Sequence, residues 1–417
     1  MSHQGESNPL HPDCAFILQR LNQAGVRPVS ELSPQAARRL GMRLFDLERQ
    51  EGEASLLRQL MRLKAATVEQ LAASMGRRET ELEQLLDRLY LAGSVLRKER
   101  QPGSVTWSTR LSQQRRTLQD RGLLDRLADP AKPLTVGLAQ TDRLTSKNLV
   151  LRAGLRARLY RPPSTGNAPL PVVLFAHGGG WVIGSIETHD SLCRSLCEQS
   201  GCAILSVDYR LAPEHPWPSA ADDMEWSLHW LATHASDLGL DANRLGLMGD
   251  SAGGNLILVT AQAASAAGLC RPRVLVLPCP TLDPRLAFPS YREHAEGPFL
   301  SAADMRWYVS HYQPDPEHWR AAPLLGDLHD LPATLVITAS HDPARDDGEV
   351  FADRLDAAGG QVTLQRYEGM FHDFILFSNS LADGQEACSQ MARMLRDHLQ
   401  PDEVPSGAAT AVSPSTP

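Results

Sequence analysis

Across residues 135–400, short apolar runs alternate with longer stretches whose apolar positions recur every three or four residues. The short runs are PVVLFAHGG, CAILSVDY, RLGLMGDS, RVLVLPCP and ATLVITAS. Each is rich in Val, Ile or Leu and ends near Gly, Pro, Asp or Ser, which predicts a strand. Their hydrophobicity is continuous rather than alternating, so both faces of each strand are expected to be buried. The pattern predicts an α/β fold: a mostly parallel central sheet flanked by helices. SAADDMEWSLHWLATHA and DGEVFADRLDAAGG carry the helical period between strands, and Gly359-Gly360 closes the second. No fixed-period repeat is present.

The flanks differ. Residues 1–53 read as helices, with Ser33-Pro34 as a cap and first turn. Residues 54–108 read as a short helix, a turn at Met75-Gly76, a long helix and two β-like runs around Gln101-Pro102-Gly103. That order resembles a winged helix-turn-helix domain, with Leu82, Leu85, Leu86 and Leu89 as its core. Residues 109–134, with the basic run RLSQQRRTLQDR, read as a linker helix. The α/β body is placed at 135–402. The tail at 403–417 is Pro, Ser, Ala and Thr with little to bury, and is expected to be disordered.

Composition narrows the function classes. The chain is 42% hydrophobic and 22% charged, with a net charge of -8. That balance argues against a dedicated binder of nucleic acid or anionic membrane. Between Ser55 and Gln101, nine Lys/Arg face six Asp/Glu, and Glu79, Glu81 and Glu83 crowd the candidate reading helix. A protein-contact or regulatory role for the insertion is therefore favoured over DNA binding, which stays open. No secretory signal and no membrane-spanning run is expected. The seven cysteines, Cys14, Cys193, Cys197, Cys202, Cys270, Cys279 and Cys388, are odd in number and scattered. They read as free thiols in a reducing compartment, the cytoplasm. Cys193 and Cys197 share a helix face, but no second ligand pair accompanies them, so no metal site is expected.

The candidate chemistry lies where strands end. Gly249-Asp250-Ser251-Ala252-Gly253 matches G-x-S-x-G between a strand and a helical pattern. A serine on such a turn is held in a strained conformation, exposed above the sheet edge beside the positive end of the next helix. His177-Gly178-Gly179-Gly180-Trp181 also follows a strand, and its glycines leave backbone amides bare. Gly178, Gly179 and Ala252 are the candidate N–H donors for an oxyanion. His177 is read as shaping the loop. Asp342 follows the strand TLVITAS, while its rivals Asp346 and Asp347 fall within the next helix. His372 sits in YEGMFHDF, beyond the candidate strand QVTLQRY. Ser251 as nucleophile, His372 as base and Asp342 as the orienting acid make a complete acyl-transfer set.

Five motifs in order carry a resemblance: HGGGW at 177–181, DYRLAPEHPWP at 208–218, GDSAGGN at 249–255, DPARD at 342–346 and GMFHDF at 369–374. The chain resembles the hormone-sensitive-lipase-like esterases, a bacterial carboxylesterase family of the α/β-hydrolase superfamily. The likeness covers 135–400 and, more loosely, the helices at 9–50. Ala344 departs from the family's usual leucine. The resemblance implies an α/β-hydrolase fold whose helical cap is built from 1–53 and about 284–322. It implies the same triad and oxyanion residues. Trp181 and Asp250 are expected to face the substrate, a short- to medium-chain carboxylic ester, with no cofactor. The alternative is an ester-sensing regulator whose insertion binds DNA or a protein partner. A homo-oligomer is left open.

Overall fold

The computed structural model describes residues 29–38, 95–101, 104–109, 144–163, 168–267, 271–378 and 381–400. The continuous apolar runs become the centre of one eight-stranded sheet. Its strands are β1 Thr145–Arg152, β2 Leu155–Arg161, β3 Leu170–Ala176, β4 Ala203–Asp208, β5 Leu240–Gly249, β6 Val274–Pro278, β7 Ala333–His341 and β8 Val362–Phe371. They lie in the order β1-β2-β4-β3-β5-β6-β7-β8. Only β2 runs against its neighbours; the remaining pairings are parallel.

The β1–β2 pair is an element the apolar runs did not announce. Its β2 strand, LRARLYR, alternates arginine with inward-facing Leu155, Ala157 and Leu159. That is the period-2 signature of a strand with one side on the core, and β2 pairs antiparallel with β1 and β4.

Alternate residues of each central strand serve two separate cores. Val172, Leu174 and Ala176 of β3 point to one face, where α2 Ser219–His234, α3 Ala252–Ala267 and α5 Arg345–Ala357 pack. Val173 and Phe175 point to the other, against α1 Asp190–Ser200 and α6 Ala382–Leu399. Cys193 and Cys197 do share the buried face of α1 and are free thiols, as are Cys202 and Cys279.

The chain leaves β3 for β4 on one side and returns to β5 on the other. At such a reversal the loops beyond the strand ends separate and open a crevice. The ends of β3, β5, β7 and β8 carry His177, Asp250, Asp342 and His372 respectively.

α4 Ala302–Tyr312 buries Met305, Tyr308 and Tyr312 against this body and begins with a reciprocal cap: Ser301 Oγ accepts from Asp304 N, and Asp304 accepts from Ser301 N. The second Asp304 oxygen accepts from Ser30 N at 3.0 Å, tying residues 29–38 to α4. There Ser33 Oγ caps Ala36 N as the sequence suggested. Arg38 reaches the body, donating to the carbonyls of Val182 and Ala212 and pairing with Glu214.

Val95–Gln101 and Ser104–Thr109 pair antiparallel. The helices expected elsewhere in 1–53 and 54–108, the 109–134 linker and the 403–417 tail lie outside the described residues. Among the described residues, no helix is long and apolar enough to cross a membrane.

Leu247, fully buried at the centre of β5, lies between Leu174 of β3 and Leu275 of β6 in one core. Leu247→Ala should cost about 2–5 kcal/mol through a cavity the sheet cannot close. A urea titration reads this as a lower midpoint; an unchanged midpoint would contradict the packing described.

Candidate active site

The turn after β5 sets the first functional atom. Ser251 has φ 51°, in the left-handed region that a non-glycine residue rarely occupies. Its N–H donates to Pro278 O, and its own carbonyl accepts from Thr281 N, so the turn is pinned from β6. The flanking glycines are there for clearance. A Cβ on Gly249 would lie 2.5 Å from Gly253 O, and one on Gly253 would lie 2.1 Å from Ala176 O. The backbones of β3, the turn and α3 therefore meet closer than any side chain permits.

The end of β8 is delivered by a different device. The β7–β8 register slips between Tyr367 and Phe371, and Gly369 N donates to Ser340 Oγ in the irregularity. The chain then lifts His372 over the sheet edge.

Its ring bridges two side chains from distant strands. Nε2 stands 2.8 Å from Ser251 Oγ, and Nδ1 stands 2.7 Å from Asp342 Oδ2. Ser251, Asp342 and His372 are 5%, 0% and 3% exposed, so the three are shielded from bulk water. Ala344 N donates to the other Asp342 oxygen at 2.7 Å, fixing the carboxylate. Burial opposes charge on His372, but Asp342 and Asp373 outweigh it and hold the imidazole well above its ordinary pKa. The rival acids are engaged elsewhere: Asp347 accepts from Leu282 N and Asp283 N, and Asp346 from Ser290 N.

The glycine loop needs a correction. Gly178 N–H is committed to Asp250 Oδ2 at 3.1 Å, so it is not a free oxyanion donor. Among the described residues, no acceptor meets the amides of Gly179, Gly180 or Ala252. Ala252 opens α3, whose positive end adds to the attraction for an anion.

Two further expectations change. Asp250 does not face a substrate: it is fully buried and binds Gly178 N and His189 Nε2, the latter at 3.0 Å. Trp181 does not line an open pocket: it is 1% exposed and stacks on Tyr312 of α4 at 4.7 Å. Both hold the loop in place. His177 shapes the loop as read from the sequence, since its ring stacks on Tyr209 and its carbonyl accepts the Tyr209 hydroxyl. Burial and the nearby His189 push its pKa down to about 4, so the ring is neutral at pH 7.

Comparison with known proteins agrees with this frame. The alpha/beta hydrolase fold family matches residues 173–376. An ethyl acetate hydrolase of Pseudomonas putida is 35% identical over 269 residues, covering 62% of this chain and 84% of the relative. The chain belongs to the α/β-hydrolase family. A carboxylesterase of Mycobacterium tuberculosis is 39% identical over 250 residues, covering 58% of this chain and 78% of the relative. The solved esterase of Pyrobaculum calidifontis superposes with a TM-score of 0.58 at 40% identity, covering 61% of this chain and 85% of that one.

Three groups at the hydrolase site escaped the motif reading. His189, in THD, anchors Asp250; burial opposes its protonation but Asp250 overrides this and raises its pKa. Gly180 has φ 58° and lies against the Tyr308 ring of α4, which a Cβ there would overlap. Cys279 lies with Asp342 and His372 in a cluster whose donor atoms are within 4.8 Å of one another. None of these positions had a distinguishing spacing, although Gly180 stood inside the glycine run.

Asp250 is the keystone of this loop. Asp250→Ala would strip a buried partner from His189 and from Gly178 N at once, at a cost of about 3–5 kcal/mol. Thermal unfolding should show a clear drop in Tm together with reduced turnover. Wild-type stability would rule out the anchoring role.

Proposed function

We propose that this hydrolase is a serine carboxylesterase of the hormone-sensitive-lipase-like branch, acting through Ser251, His372 and Asp342. The observation that carries the reading is the unbroken path Asp342–His372–Ser251, with hydrogen bonds of 2.7 and 2.8 Å. Its relatives are named as ester hydrolases, which supports an ester substrate. The ordered motifs HGGGW, DYRLAPE, GDSAGGN and GMFHDF support the branch.

In the reaction, an ester carbonyl lies between Ser251 Oγ and the bare amides. His372 takes the serine proton as Oγ attacks. Asp342 holds the ring's tautomer and balances the charge that forms on it. The oxyanion is received by the N–H groups of Gly179, Gly180 and Ala252, each contributing a few kcal/mol, roughly, to barrier lowering. The imidazolium returns its proton to the leaving alcohol. Water, activated by the same histidine, then releases the acid.

We assign the cap to the N-terminal segment and to the 284–322 stretch containing α4. The Ser30–Asp304 and Arg38–Glu214 contacts support that assignment. The antiparallel pair Val95–Gln101/Ser104–Thr109 suits the wing of the inserted domain. The buried thiols of Cys193, Cys197, Cys202 and Cys279 suit a reducing cytoplasm.

Wild type and Ser251→Ala should be assayed side by side on p-nitrophenyl esters of increasing acyl length. Ser251→Ala should lose at least about 10⁴-fold in kcat. Substantial turnover by that variant would refute the nucleophile. Best activity on the longest esters would refute the short- to medium-chain preference.

A further inference from the structure

The mechanism above uses Asp342 on one side of the His372 ring and leaves a second carboxylate unused on the other. Asp373 Oδ2 lies 3.3 Å from His372 Nε2, the nitrogen that carries the transferred proton. The side chain is 8% exposed, and its Oδ1 meets no hydrogen-bond partner among the described residues. The backbone that aims it has φ 53°, a left-handed conformation uncommon outside glycine.

The two protonation states of the ring treat this carboxylate differently. In the neutral ring, Nδ1–H donates to Asp342 and the Nε2 lone pair accepts from Ser251. Asp373 then faces a lone pair and gains nothing. Once Nε2 is protonated, its N–H lies between Ser251 Oγ and Asp373 Oδ2, and a charge-assisted hydrogen bond becomes available.

We propose that Asp373 is a positioning residue for the imidazolium: it accepts from Nε2–H in the protonated state and so sets the pH below which His372 ceases to act as a base. The proposal rests on the esterase reading above. Other ionisable groups surround the ring. Asp342 comes from the end of β7, Cys279 from the end of β6 and Asp250 from beside the nucleophile. His189, ahead of α1, and Tyr308 of α4 face Asp373. Among the described residues, only Asp342 and Asp373 place a carboxylate within ion-pair distance of the ring. Burial lowers the His372 pKa, and these two acids reverse the sign. The base form is lost as pH falls through a value above the ordinary 6.5. Removing one acid must move that loss to lower pH.

The test is the pH profile of kcat/KM on a short p-nitrophenyl ester for wild type, Asp373→Asn and Asp373→Gly. Asparagine keeps the shape and tolerates the left-handed backbone, and glycine tolerates it without strain. The midpoint of the acidic limb should fall by about 1 pH unit or more in both variants, as expected for loss of an adjacent opposite charge. An unmoved midpoint overturns the proposal, even where the plateau rate falls, because a structural role alone lowers activity at every pH. Should one variant fail to fold, the other carries the comparison. Ser251→Ala, run alongside, separates the two claims. An inactive Ser251→Ala with an unmoved Asp373→Asn midpoint sinks only this inference, whereas an active Ser251→Ala sinks the reading beneath it.

Discussion

A serine at φ 51° has to be held there by its surroundings, and in this chain the restraint is backbone pressed against backbone. Gly253 rides on the end of β3, Gly249 rides on Gly253, and the Ser251 amide and carbonyl are spoken for by the last residue of β6 and by Thr281 beyond it. A left-handed non-glycine residue costs on the order of 1–3 kcal/mol, which packing elsewhere must offset. The double-sided sheet supplies that packing. Its central strands are buried on both faces, so their C-terminal ends form a rigid rim. The site depends on that rim, because Ser251, His372 and Asp342 come from the ends of three different strands.

A second layer of interactions fixes the glycine loop. Asp250, next to Ser251, reaches across to Gly178 and His189, so the loop after β3 and the turn after β5 are one unit. The loop's other side is locked by Trp181 on Tyr312 and by Tyr308 against Gly180, both from α4. Arg38 adds a clasp from the N-terminal segment to Val182 and Ala212. The glycine loop is thus held by polar contacts on one side and aromatic contacts on the other.

Much of this was legible in the sequence because its signals are local. Continuous apolar runs announced β3 to β7, and Ser251 in its G-x-S-x-G turn and Asp342 after a strand were legible as residues of one sheet edge. Gly178, Asp250 and Trp181 lie in motifs beside the site, yet membership in a motif does not fix contact with a substrate. Which way a backbone amide points, and whether a side chain turns inward, depends on partners such as His189 and Tyr312, distant along the chain. The β1–β2 pair was missed because alternating arginine and leucine look polar to a reading tuned for continuous runs. Asp373 was visible beside His372, but only the left-handed backbone brings it to Nε2.

The central claim is that one hydroxyl in this chain is activated above all others. Reaction with a fluorophosphonate ester, followed by intact mass and peptide mapping, tests it most directly. The account predicts a single adduct, on Ser251, with ester hydrolysis lost in proportion to labelling. Labelling at another residue, or full hydrolysis after complete modification of Ser251, would contradict it.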